Sequence, residues 1–227
     1  DSLEASDRSV IDRFADMFDK IPLPVKLLKN FDPTGVIGYF ADGLSEIKAK
    51  RNEEKLLKTI YELIKAVCII DQKLGRIDPH YFEAQVIALT EMYFDHSMGS
   101  YQLEKIEIFR NAFINSVIDY DRDLDEKENM FNLISSLTMD QIRILKFCYE
   151  SYRFQSRDIN FVDIANELKL TSYSYVGQLC HSLIGKGLLV GMGYSVSKSG
   201  PFAGYSRYRI GNYLDHLIKY IIEPIYE

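Results

Sequence analysis

The most acidic stretch of the chain, residues 119–128, is rich in the carboxylate oxygens that a calcium ion prefers. An EF-hand loop needs glycine at its sixth position, for a sharp turn, and glutamate at its twelfth, as a bidentate ligand. Leu124 and Met130 occupy these positions when the loop is counted from Asp119. The spacing therefore argues against a calcium loop, and we interpret residues 119–128 as a solvated linker.

A second group of candidate metal ligands is formed by Glu91, Asp95 and His96, because this spacing places the two carboxylates on one face of a helix. A structural metal site needs about four ligands, and no second cluster at metal-ligand spacing accompanies this one. The histidines are isolated from one another in the sequence: His80, His96, His181 and His216. We therefore expect neither a bound metal nor a cofactor.

Motifs for nucleotide binding and covalent catalysis are incomplete in this chain. Gly191 and Gly193 lack the third glycine and the following helix of a dinucleotide-binding turn. Lys186 follows Gly185 without the rest of a phosphate-binding loop. No Gly-x-Ser-x-Gly sequence is present, and no cysteine lies in a catalytic motif. We therefore predict that the protein is not an enzyme.

Cysteine usage and hydropathy point to the cytoplasm. Cys68, Cys148 and Cys180 lie far apart among apolar residues, which predicts reduced core thiols and not disulfides or a metal site. No apolar run approaches the roughly 18–20 residues that span a bilayer, since Glu62 and Lys65 interrupt the longest one. We expect no membrane partner.

The distribution of charge divides the chain into two parts. The net charge of −6 argues against a protein that coats nucleic acid along its whole surface. Residues 136–227 hold 10 Lys and Arg against 8 Asp and Glu, whereas residues 1–135 hold 17 against 25. Only the C-terminal part is thus suited to approach phosphates. We predict an acidic domain over residues 1–135 and a second domain over residues 136–227.

The acidic domain is predicted to be a helical bundle. Apolar residues recur at helical spacing from residue 7 onwards, and nothing before residue 136 has the alternation of a strand. Asp78 followed by Pro79 is typical of a helix start, with aspartate as the N-cap and proline in the first helical position. Gly75 and Gly99 are candidate helix ends. A cavity for a small apolar effector is an open alternative, with a candidate lining of Phe40, Leu63, Phe82 and Phe109.

The second domain should begin with a helix at Thr138, because Thr138 and Gln141 form a capping box. Periodicity predicts further helices over residues 161–168 and 173–186, joined by a turn at 169–172. Gly187 ends the second of them, and Leu188 opens a strand. A Gly- and Ser-rich loop is predicted over 191–204, a strand over 205–210, and a closing helix over 213–222.

This order of elements over residues 138–222 resembles the winged helix-turn-helix superfamily. The resemblance depends on apolar and small residues in the helices, the turn and the start of the hairpin: Ile164, Ala165, Leu168, Leu170, Val176, Leu179, Leu183, Gly187 and Leu188. Residues 183–190 are similar to the end of the recognition helix and the start of the wing in MarR- and PadR-like regulators. The implied fold is mainly α, a helical bundle followed by a winged helix with a small β-hairpin wing.

The resemblance implies that the second helix enters the major groove of DNA while the hairpin contacts the backbone or minor groove. The implied DNA-binding residues are Ser172, Tyr173, Ser174, Tyr175, Gln178, His181, Ser182, Lys186, Lys198, Arg207 and Arg209, with Arg153 and Arg157 as further phosphate ligands. Glutamine can pair with adenine, and hydroxyl groups can bind phosphates or base edges. The expected function is sequence-specific DNA binding of the transcriptional-regulator type, with the bundle as sensor, dimerisation or partner-binding domain.

An alternative is a winged helix that docks another protein, because a surface rich in hydroxyls and tyrosine also suits a protein interface. The order of a helical region and a winged helix is loosely similar to phage-defence accessory proteins of the Abi-alpha group. A homodimer could form through the helix at 213–222 or through the N-terminal bundle. The apolar stripe of that helix comprises Leu214, Leu217, Ile218 and Ile221.

Overall fold

The computed structural model describes residues 43–155, 159–169, 172–196, 203–211 and 213–221, apart from some side chains within these ranges. The predicted helices before residue 43, and the positions Phe40, Arg157, Leu170 and Lys198, lie outside the described residues, as does the side chain of Arg153. Within the described part no helix is long and apolar enough to cross a membrane. No group of three or more candidate ligand side chains that could hold a metal ion occurs there either.

The described chain is mainly helical, which confirms the predicted class at this level. The elements are α1 (Gly43–Leu74), α2 (Pro79–Tyr81), a π-helical turn (Phe82–Val86), α3 (Ile87–Gly99), α4 (Glu104–Ile118), α5 (Leu124–Ser136), α6 (Met139–Gln155), β1 (Ile159–Asn160), α7 (Phe161–Glu167), α8 (Tyr173–Gly185), β2 (Leu189–Val196), β3 (Ala203–Ile210) and α9 (Leu214–Ile221). The chain divides into two compact units within α5, between Asn132 and Leu133, whereas the predicted domain boundary follows residue 135. We call residues 43–132 the helical unit and residues 133–221 the C-terminal unit.

The helical unit is built on α1, α3 and α4, which pack against one another. Local signals in the sequence account for the ends of these helices. Gly75 adopts a φ of +61°, a left-handed conformation that stops α1. The Oδ1 atom of Asp78 then accepts a hydrogen bond from the backbone N–H of Tyr81 at 2.9 Å, and Pro79 occupies the first helical position. The predicted helix end and helix start are both confirmed.

A buried ion pair joins α1 to α4. The Nη1 atom of Arg110 lies 2.7 Å from the Oε2 atom of Glu62, and the side chains are 10% and 4% exposed. Arg110 also donates to the Oδ1 atom of Asn111 from Nε at 3.1 Å and from Nη2 at 2.8 Å. Lys65 donates to the other carboxylate oxygen of Glu62 at 3.0 Å. Because buried charges are tolerated only when they are paired, this network constrains how the two helices pack.

The interpretation of residues 119–128 as a solvated linker is wrong for its second half. Helix α5 begins at Leu124, and the Oδ1 atom of Asp123 accepts from the backbone N–H of Glu126 at 2.8 Å. Lys127 is fully buried, and it donates to the hydroxyl of Tyr81 at 3.0 Å and to Oε1 of Gln85 at 2.8 Å. Burial lowers the pKa of this lysine. An aspartate cap and acidic residues in the first turn stabilise a helix, so a high density of acidic residues did not by itself distinguish a linker from the start of a helix.

The cysteines differ in exposure. Cys148 and Cys180 are buried in the C-terminal unit, as the prediction of core thiols requires. Burial raises the pKa of the Cys180 thiol to about 12, and it raises the pKa of Cys148 as well, which makes both thiols poor nucleophiles. Cys68 is exposed on α1, so the prediction is wrong for this residue. Apolar neighbours could not show which side of α1 faces the core, because α1 is apolar on more than one side.

His96 contacts two phenylalanine rings of the helical unit, and these two rings also contact each other at a centroid distance of 6.3 Å. The ring centroids of Phe109 and Phe131 lie 5.5 and 5.7 Å from the imidazole centroid, at interplanar angles of 28° and 24°. Burial is the largest influence on the pKa of His96 and lowers it. Nearby Asp95 and Glu128 raise that pKa, and Lys105 lowers it further. The folded state therefore favours the neutral imidazole.

We expect His96→Phe to remove part of the acid sensitivity of the helical unit. In the unfolded chain this histidine titrates near a pKa of about 6.5, so at lower pH the unfolded state binds more protons than the folded state. The free energy of unfolding of the wild type should thus fall as pH drops from about 7 to about 5, and that of the variant should fall less. Urea unfolding at several pH values would measure this, and an identical slope in both proteins would contradict it.

The C-terminal unit contains a three-stranded antiparallel sheet in the order β1-β3-β2. The hairpin register pairs Leu189 with Ile210 and Val196 with Ala203. Most of the predicted loop over 191–204 is therefore strand, because backbone pairing across the hairpin outweighs the weak strand propensity of its glycines. Gly193, with a φ of +64°, accommodates an irregular backbone inside β2. Strand β1 was not predicted, since two residues are too short for a periodic pattern.

Helix α6 starts with the predicted capping box. The backbone N–H of Thr138 donates to Oε1 of Gln141 at 2.9 Å, and the N–H of Gln141 donates back to Oγ1 of Thr138 at 3.2 Å. Helix α9 packs on α6. Its apolar stripe, proposed from the sequence as a dimer surface, is at most 1% exposed: Leu214, Leu217, Ile218 and Ile221. This stripe belongs to the core of the protein and is not free to pair with a second subunit.

Candidate nucleic-acid interface

Helix α8 is positioned by a cap at each end and by one buried face. Ser172 is the N-cap, and its Oγ accepts from the backbone N–H of Tyr175 at 3.3 Å. At the other end Gly187 has a φ of +71°, its N–H bonds to the carbonyl of Ile184 at 2.9 Å, and the N–H of Leu188 bonds to the carbonyl of Leu183 at 3.0 Å. These are the two bonds of a Schellman motif. The buried face consists of Val176, Leu179, Cys180 and Leu183.

The side of α8 opposite this buried face carries four exposed residues, which we call the outer stripe: Ser174, Gln178, His181 and Gly185. Their spacing of four, three and four residues aligns them along the helix, because an α-helix has about 3.6 residues per turn. The stripe displays a hydroxyl, an amide and an imidazole, all of which can donate and accept hydrogen bonds. A Cβ atom at Gly185 would meet nothing within 4 Å, so the helix surface is open there.

A second edge of α8 is tied to the residues around the start of α6. The hydroxyl of Tyr175 donates to Oδ2 of Asp140 at 3.1 Å, and this bond raises the pKa of the tyrosine. Nε2 of Gln141 donates to Oγ of Ser182 at 3.0 Å.

Lys186, further along the same edge, donates from Nζ to Oγ of Ser136 at 2.9 Å. Tyr175, Ser182 and Lys186 are three of the residues predicted to contact DNA. Their hydrogen bonds to Asp140, Gln141 and Ser136 connect this edge of α8 to the residues around the start of α6, while the outer stripe faces solvent.

The hairpin carries the other predicted cations. Residues of β3 alternate in exposure, with Tyr208 buried and Arg207 and Arg209 exposed, so both guanidinium groups are on the solvent side of the sheet. Met192 pairs with Arg207, and the half-exposed Val190 pairs with Arg209. Because β2 packs beside α8, the arginine-bearing hairpin and the helix adjoin in one unit.

Besides Gln141, three neighbours of this surface were not among the predicted site residues. Asp140 accepts a hydrogen bond from Tyr175 of α8, Ser136 accepts one from Lys186 just after α8, and Asn160 pairs with Arg207 across the sheet. Asn160 also caps α7, its Oδ1 accepting from the backbone N–H of Val162 at 3.0 Å. Local signals in the sequence mark these places: Asn160 precedes a helical pattern, and Thr138 and Gln141 form a capping box around Asp140. Their proximity to α8 and β3 was not, since it depends on long-range pairing.

Comparison with known proteins gives no family for this chain, since no family model, curated protein or solved structure matches it.

Proposed function

We propose that the C-terminal unit is a winged helix-turn-helix module that binds double-stranded DNA. In this proposal α8 is the recognition helix, β2 and β3 are the wing, and the protein acts as a sequence-specific regulator. The supporting observation is the outer stripe, a solvent-facing line of hydrogen-bonding side chains beside a hairpin with two exposed arginines. A major groove admits one α-helix, whose outward side chains read base edges.

The roles of individual residues follow from their chemistry and position. Gln178 is the candidate for bidentate pairing with adenine, and His181 and Ser174 can bond to neighbouring base edges or phosphates. Arg207 and Arg209 are suited to phosphates, because a guanidinium group binds two oxygens at once. Tyr175, Ser182 and Lys186 orient the helix.

The test begins with selection of retained fragments from mixed genomic DNA, followed by affinity measurements on an enriched fragment at two salt concentrations. We expect Arg207→Ala/Arg209→Ala to weaken DNA binding roughly ten- to a hundredfold at low salt. The slope of log K against log salt concentration should also become shallower, by the equivalent of about two phosphate contacts. Gln178→Ala should instead weaken binding to the enriched sequence more than to random DNA.

A matched control is Lys73→Ala/Arg76→Ala, which removes the same charge from exposed positions of the helical unit. It should retain most of the affinity. Folded wild-type protein that binds no DNA at low salt would refute the proposal. Equal losses for the hairpin and control variants would show attraction by net charge alone.

A second candidate is a protein partner for the same face of α8. It is favoured by the exposed rings of Tyr173 and Tyr175, which are 46% and 40% exposed, and by the Asp140 carboxylate at the edge of the helix. Tyrosine is enriched at protein interfaces, and a carboxylate repels phosphate. Failure of DNA binding together with a specific partner that is lost in Tyr173→Ala would support this candidate.

A further inference from the structure

Helix α1 carries a line of large apolar side chains on its solvent side. Leu57, Tyr61 and Ile64 are 49%, 58% and 56% exposed, and Cys68 is exposed as well. Single exposed apolar residues are normal on a protein surface, but contiguous patches mark interaction sites. We call these four residues the α1 stripe.

The α1 stripe lies directly opposite the face that α1 buries in its own unit. Its spacings of four, three and four residues keep the four side chains within a narrow sector of the helix. Thr59, Ala66 and Ile70, which are fully buried, fall on the other side. Helix α1 therefore has two apolar faces, and only one of them is covered by the residues that the structure describes.

The same spacing is that of the a and d positions of a heptad, with Leu57 and Ile64 at d and Tyr61 and Cys68 at a. The line of a and d positions along a helix forms the seam of a coiled coil. Glu54 and Asp71 occupy the next a and d positions on either side, so charged residues limit the apolar seam to about two heptads. A coiled-coil seam is covered by another helix with the same repeat. A second α1 provides that repeat.

We propose that the α1 stripe pairs in parallel with the α1 stripe of a second copy of this chain. In a parallel pair each seam residue meets its own counterpart, and Glu53 lies opposite the Lys58 of the second copy, whose ammonium group also contacts Glu107 of its own chain at 2.8 Å. An antiparallel pair would bring Lys58 close to the second copy's Lys65, a contact between like charges. Charge complementarity therefore favours the parallel arrangement.

The size of the stripe sets the strength of this contact. A stable interface buries about 800 Å² on each partner, and four partly exposed side chains supply less. The dimer should therefore be reversible, with a Kd on the order of micromolar or weaker. Tyr61 already has the ammonium group of Lys65 over its ring, at 4.3 Å from the centroid, which restrains the ring for packing.

Sedimentation velocity on the full chain over a wide concentration range tests the dimer. We expect the wild type to shift from monomer to dimer, and Ile64→Glu to weaken association at least tenfold while keeping its helical circular dichroism. Tyr101→Glu is the control, because Tyr101 is 83% exposed but lies outside the stripe. A wild type that stays monomeric, or an Ile64→Glu variant that dimerises equally well, would overturn the proposal.

Oxidative cross-linking tests the orientation. Cys148 and Cys180 are buried, so Cys68 is the thiol available for a disulfide between copies among the three cysteines. A parallel pair predicts a Cys68 cross-link in the wild type, none in Cys68→Ser, and a restored cross-link in Leu57→Cys/Cys68→Ser. Cross-linking only when that double variant is mixed with wild type would overturn the parallel arrangement.

Discussion

Replacement of Arg110 by methionine is expected to lower the free energy of unfolding of the helical unit by about 3 kcal/mol. The guanidinium group is the buried partner of Glu62 at 2.7 Å, and its loss removes the main counter-charge of a carboxylate whose side chain is only 4% exposed. Lys65 still contacts the other oxygen of Glu62 but is 41% exposed on its side chain, so it screens that charge only in part. Urea unfolding followed by circular dichroism would measure the loss.

Two further variants make this expectation specific. Lys58→Met breaks the ion pair with Glu107, which at 2.8 Å is nearly as short but has side chains 27% and 52% exposed. This variant should lower the free energy of unfolding by only about 0–1 kcal/mol, because an exposed ion pair contributes little to stability. Glu62→Met/Arg110→Met should recover most of the stability, since apolar residues can replace a buried pair of charges. Equal effects of Arg110→Met and Lys58→Met would contradict our reading of the buried pair.

The second large effect is expected at Gly211, where alanine should destabilise the C-terminal unit by about 3 kcal/mol. A Cβ atom there would lie 2.1 Å from the carbonyl oxygen of Gly187 and 3.2 Å from the carbonyl carbon of Leu188. These are backbone atoms, so no side-chain rotation relieves the clash. The close approach is also required by the hydrogen bond from the N–H of Gly211 to the carbonyl of Leu188, at 2.9 Å.

Alanine at Gly185 should have the opposite effect on stability. Gly185 is helical and exposed, with nothing within 4 Å of an added Cβ atom, so alanine should stabilise α8 by roughly 0.5–1 kcal/mol. The buried thiols of Cys148 and Cys180 report opening of this unit, because they can be alkylated only when it unfolds. Faster alkylation is expected for Gly211→Ala and slower alkylation for Gly185→Ala. Wild-type rates in Gly211→Ala would contradict the steric argument.

The close approach of Gly211 to Gly187 also affects the geometry of the proposed interface. Gly187 and Gly211 bring the end of α8 against the base of the hairpin, and this contact sets the distance between the outer stripe and the arginines of β3. A DNA duplex is rigid, so small changes in that distance matter to a surface that must contact groove and backbone together. The structural glycines are thus part of how the proposed site is positioned.

The sequence by itself determined where many helices start and stop. The Asp78 cap, the Thr138–Gln141 box and the left-handed Gly75 and Gly187 were all predicted and confirmed. Each of these features depends on atoms within a few residues of one another, so the residue types nearly suffice to specify the geometry. The buried face of α8 was predictable for the same reason, since it follows from helical periodicity.

Only the tertiary structure decided what depends on partners distant in sequence. Strand β1 and the full length of the hairpin exist because β3 pairs with both neighbours. Lys127 is buried although it lies in an acidic stretch, because Tyr81 and Gln85 accept hydrogen bonds from its ammonium group.

The same holds for the candidate site and for the α1 stripe. Hydroxyl and amide side chains along α8 look alike in the sequence, yet Ser182 is held by Gln141 while Gln178 faces solvent. Likewise Cys68 and Ile70 are both apolar residues of α1, but only contacts made by α3 and α4 determine that Ile70 is core and Cys68 is surface. Periodicity defines a helix face, whereas the free energy of burial depends on which other elements cover that face.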